Sequence, residues 1–133
     1  MEVNLLFFRS LMSQSAASIT MSSICGHLRS VGCSCSMVLL EKNDPHHLTK
    51  IFQDSYDTKI IIAKPNFKDF REFMAILRMA SETDLVKRMF LCGPFASLNA
   101  HDILTEFPFV DGIVTSNQER VFKSLVSTDA IPN

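Results

Sequence analysis

The chain predicts an α/β domain in which parallel strands alternate with helices around one core. Three observations predict it. Short apolar runs alternate five times with segments of helical spacing, the pattern of repeated strand–helix units. The run Ile60-Ile61-Ile62 is apolar without alternation, as expected of a strand covered on both faces. A length of 133 residues, with 47% hydrophobic and 20% charged, fits one globular domain over residues 1–133.

The strands are read at Val3–Phe8, Ser34–Leu40, Lys59–Ala63, Arg88–Cys92 and Val110–Val114. Between the first two, Ala17, Met21, Ile24, Cys25 and Leu28 recur at helical spacing, with Gly32 as the stop. Asp44-Pro45 is an N-cap followed by proline at the first helical position, and Leu48, Ile51 and Phe52 share a face behind it. The third helix carries Phe70, Phe73, Met74 and Leu77, and the short fourth carries Ile103, Leu104 and Phe107 before Pro108. Ser116-Asn117-Gln118-Glu119 has capping-box spacing and opens a last helix with Val121, Phe122, Leu125 and Val126. Right-handed crossovers between five such strands give a flavodoxin-like three-layer sandwich with strand order 2-1-3-4-5.

Several function classes drop out on composition. The net charge is −1, with 13 basic and 14 acidic residues dispersed along the chain, so no basic patch for nucleic acid is expected. No apolar stretch approaches the ~20 residues needed to cross a bilayer, so no membrane role is expected. Glu2 stands where a secretory leader carries basic residues, and Arg9 ends the opening apolar run. Cys33 and Cys35, two apart on a strand, share a face in poor geometry for a mutual disulfide. With Cys25 and Cys92 they read as reduced, partly buried thiols of a cytoplasmic protein.

In such a sheet ligands bind beyond the carboxyl ends of the strands. That rim comprises Arg9–Ser15, Glu41–Asn43, Lys64–Phe67, Cys92–Leu98 and Thr115–Gln118. A phosphoacceptor site needs clustered carboxylates at the first and third strand ends, where Arg9 and Lys64 stand instead. The loop Arg9–Ser15 has hydroxyls but no glycine to cradle a phosphate. Adjacent His46 and His47 diverge by about 100° on a helix, so they read as solvated residues and no metal site is expected. No base is visible for Cys92 as a nucleophile, and no catalytic residue is assigned. Phe67, Phe70, Phe73, Phe90, Phe95 and Phe107 read as core, and Lys64 and Lys68 as solvated lysines able to neutralise a ligand phosphate.

The stretch Leu91-Cys92-Gly93-Pro94-Phe95-Ala96-Ser97, then Ile103–Pro108 and Val110-Asp111-Gly112-Ile113-Val114, resembles the cobalamin-binding domain found at the N-terminus of many radical S-adenosylmethionine enzymes. In that family the fourth strand ends in Gly-Gly-Pro-His-Ala-Thr, and a Val-Asp strand runs into Gly-Glu-Gly-Glu. His27-Leu28-Arg29-Ser30-Val31-Gly32 is similar to the family's Leu-Arg-x-x-Gly helix end. This chain departs at Cys92, at Phe95 in place of the histidine, and at Ser116–Glu119. It also has Lys64-Pro65 at the third strand end, where Ser or Thr is usual, and lacks the Asp-x-His-x-x-Gly that supplies a lower imidazole ligand elsewhere.

The resemblance implies a corrinoid slot lined by Gly93, Pro94, Phe95, Ala96 and Ser97, with Ser116, Asn117 and Lys64 beside it, and no histidine ligand to cobalamin. No Cys-x-x-x-Cys-x-x-Cys is present for an iron–sulfur cluster. The chemistry of a radical methyltransferase would then lie on a partner domain or subunit, with Ser127–Asn133 read as a truncated linker. The alternative is a degenerate domain of the same fold that binds no cofactor and serves as an interaction or structural module.

Overall fold

A computed structural model describes residues 2–8, 14–41, 46–52, 59–65, 67–115 and 120–122. The elements run β1 (Glu2–Phe8), α1 (Gln14–Ser30), β2 (Ser34–Leu40), α2 (His47–Phe52), β3 (Lys59–Lys64), α3 (Phe70–Ser81), β4 (Val86–Cys92), α4 (Pro94–Leu98), α5 (Ala100–Glu106) and β5 (Gly112–Val114). This is an α/β fold built on a parallel sheet. The strands lie in the order β2-β1-β3-β4-β5, and every pairing is parallel.

The sheet divides the core. Side chains alternate across a strand, so Ile60 and Ile62 point to one face and Ile61 and Ala63 to the other. On the first face Val3, Leu5, Ile60, Ile62, Phe90 and Cys92 pack under α1 and Phe122. On the second, Ile61, Ala63, Met89 and Leu91 pack under α2, α3 and the α4–α5 pair. The unbroken Ile60–Ile62 run thus reflects burial from both sides.

Local chemistry sets the boundaries. α1 ends where Gly32 takes φ +86°, and the Gly32 and Cys33 amides donate to the Arg29 and Leu28 carbonyls. α3 buries Phe73, Met74, Ile76, Leu77 and Ala80 along one stripe. β5 begins only at Gly112, shorter than the Val110–Val114 run. The Asp111 carboxylate accepts the Met89 amide at 2.7 Å, while the Asp111 amide donates to the Met89 carbonyl at 2.8 Å. A side chain thus stands where the ladder would otherwise supply a carbonyl.

Other expectations change. Phe67, read as core, is 83% exposed. His47, read as solvated, is buried in the first turn of α2, and His46 is exposed. Of the residues read on that helix, α5 buries Ile103, while Leu104 projects outward and Phe107 follows the helix end. Asp44-Pro45 and the Ser116–Glu119 capping box lie outside the described residues; of the last helix the described residues include 120–122, which are helical.

Candidate functional site

β3 and β4 are parallel neighbours, so Lys64 and Gly93 emerge together at the carboxyl rim. Gly93 takes φ +96°, ψ 168°, a conformation open chiefly to glycine. A Cβ there would lie 2.9 Å from Lys64 Cγ and 3.1 Å from Cε. The lysine stem therefore lies across the glycine and takes the close approach that a ligand would otherwise use.

Gly93 also starts a helix. Pro94 occupies its first turn, where the missing amide proton costs nothing, and the Ser97 amide and hydroxyl both donate to the Gly93 carbonyl, at 3.0 and 2.9 Å. Asn99 then ends α4, its amide and side-chain NH₂ both donating to the Phe95 carbonyl. Sequence spacing gives no sign of this five-residue helix, because a single turn is too short for a period to show.

The predicted rim residues come together in part. Lys64, Gly93, Pro94, Phe95, Ala96 and Ser97 form one neighbourhood, and the pairing of Cys92 with Val114 brings Thr115 to the same rim. Ala96, however, is fully buried in the core cluster with Leu91, Ile103 and Val110. Pro94 faces solvent. Ser116 and Asn117 lie outside the described residues.

Phe95 points toward α3. Its ring lies 5.0 Å from Phe70 and, edge-on, 6.0 Å from Phe67. Phe70 continues the contact to Phe107 at 5.6 Å, and Phe107 to Phe109 at 6.0 Å. The outer end of this aromatic chain borders an open groove of about 680 Å³, lined by Phe67, Lys68, Asp69, Phe70, Arg71, Glu72 and Phe95. The groove lies beyond the end of β3, where an α/β sheet places its ligands. Its distinguishing residue is exposed Phe67, and no sequence period separates Phe67 from the buried phenylalanines near it.

Burial pushes the Cys92 thiol up to about 12, with the Lys64 ammonium acting in the opposite sense. A thiol kept neutral at physiological pH is neither a nucleophile nor a ready ligand. Burial likewise raises Cys35, and hydrogen bonding with Cys25 reinforces the effect. All four cysteines are free thiols. Among the described residues no group of three His, Cys, Asp or Glu side chains is placed to hold a metal ion, and no helix is long and apolar enough to cross a membrane. Comparison of the chain with family models, with curated proteins and with solved structures yields no match.

Proposed function

We propose that the chain is a flavodoxin-like three-layer domain, with five strands in the order 2-1-3-4-5, that works as a cofactor-free interaction module. Its partner is a polypeptide that sets an apolar anchor against Phe67 and Phe95. The observation that carries this reading is Phe67 itself, 83% exposed on the lip of the groove and braced edge-on by Phe95. A large aromatic held out from a rigid rim is the kind of residue on which partner binding concentrates. Exposed Lys68 and Arg71 with half-buried Glu72 offer both charge signs around the anchor and favour a polar peptide frame over one anionic ligand.

A photoreactive phenylalanine analogue at position 67 tests this in cells. A discrete cross-linked protein from position 67, and none from position 79 on the outer side of α3, is the expected result. Equal or absent labelling from both positions overturns it.

A second reading keeps the resemblance: the rim holds cobalamin for a radical S-adenosylmethionine methyltransferase partner domain or subunit in the cytoplasm. The observation favouring it is the register Cys92↔Val114, which brings the Gly93–Ser97 segment and Thr115 to one rim. Against it, Lys64 covers Gly93 and Ala96 is core. Mixing the protein with hydroxocobalamin and removing free ligand separates the readings. A colourless protein is expected; stoichiometric corrin absorbance restores the second reading and ends the first.

A further inference from the structure

At the other side of the sheet, β2 is the edge strand, and among the described residues its only strand partner is β1. Its seven residues, Ser-Cys-Ser-Met-Val-Leu-Leu, include no charge and no proline, the devices that normally keep an edge from pairing. Next to it α1 exposes Ser22, Gly26 and Ser30, small residues four apart on one stripe. Between them runs a groove of about 490 Å³ lined by Ser22, Cys25, Gly26, Arg29, Ser36 and Met37. Val31 and Met37 add exposed apolar surface.

We propose that this face binds a second copy of the chain, β2 pairing antiparallel with β2 about a two-fold axis so that the sheet continues across the dimer. Strand edge and helix stripe each suit this occupant for a separate reason. α1 packs on Val3 and Leu5 of β1 and on Cys35 of β2, so it lies over the line between those strands. With strands ~4.8 Å apart, its two-fold image falls about 10 Å away, the distance at which helices pack side by side. Two helices that close need small residues in the seam, and Ser22, Gly26 and Ser30 provide them.

Charge supports the same register. Arg29 donates from Nε and Nη2 to the Cys35 carbonyl at 3.1 and 2.7 Å, which fixes a cation near the start of β2. Glu41 follows the end of β2. Pairing centred on Met37 sets the start of one strand against the end of the other, bringing Arg29 toward Glu41 of the second copy twice over. An uncharged strand meets its own image without like-charge opposition. Such an interface is isologous and closes at two copies.

Sedimentation of the full chain over a concentration series tests the proposal. A reversible monomer–dimer equilibrium is expected. Met37→Lys, which sets like charges face to face on the axis, and Gly26→Glu, which fills the helix seam, should each weaken dimerisation tenfold or more. Both positions are solvent-facing, and a Cβ on Gly26 meets nothing within 4 Å, so the monomer fold tolerates them. Unchanged circular dichroism checks that. Met37→Cys should form a reducible cross-linked dimer under mild oxidation, because opposed Cα atoms of antiparallel strands lie about 5 Å apart. A chain that stays monomeric throughout, or variants that dimerise as the parent does, overturns the proposal.

Discussion

Gly93 shows how much one residue at the rim is constrained. Its φ of +96° excludes a side chain on backbone grounds, and the Lys64 stem excludes one on steric grounds. The stem can swing away and the backbone cannot, so the dihedral is the larger obstacle. Gly93→Ala should destabilise the fold by about 1–3 kcal/mol, and trimming Lys64 to alanine alongside it should recover only a minor part. Urea denaturation of the single and double variants measures both. Cys92 contributes, with Cys35, to an alkaline limit. Its thiol stays protonated in the fold up to about pH 12, whereas an exposed thiol ionises near 9.0. The folded-state value is the raised one, so its contribution is complete below pH 9 and is lost as pH climbs toward 12. The denaturation midpoint should fall across that window, and Cys92→Ser should remove only its share of the fall, the Cys35 thiol being raised in the same direction.

At the scale of elements, the β4–β5 junction depends on Asp111, whose carboxylate and amide grip both polar groups of Met89. Asp111→Ala leaves the Met89 amide without that acceptor and should cost about 1–3 kcal/mol, whereas Asp111→Asn keeps an acceptor and should cost less. Amide exchange at Met89 distinguishes the two variants. This junction also marks where the sequence stops being legible. Val110-Asp111-Gly112-Ile113-Val114 has the composition of a strand, yet the ladder starts late because a carboxylate displaces a carbonyl, which no apolar pattern records. Elements long enough to repeat were legible: α1 with its Gly32 stop, the face of α3, and Ile60–Ile62 as a strand buried on both sides. α4 was not, being one turn of helix built from Gly93-Pro94 and a serine hydroxyl. Of the residues read at the rim, Lys64 and Gly93 lie side by side because neighbouring strand ends of a parallel sheet share a rim. Ala96 as core depends on α4 and Phe67 as surface on the turn that leads into α3, and residue type carries neither.

For the molecule as a whole, the sheet stands between two apolar clusters that share strands but no side chains. Phe73→Ala on one side and Met21→Ala on the other remove fully buried groups, and should cost about 3–5 and 2–5 kcal/mol respectively. Each void is lined by a different cluster, so the double variant should equal the sum to within about 0.5 kcal/mol. A marked excess or shortfall in a denaturant titration would mean that strain crosses the strands. If the sum holds, the layer of backbone acts as a bulkhead. The half that carries Phe67 and the groove can then drift in sequence, or be redesigned for a new ligand, without disturbing the packing of α1 behind it.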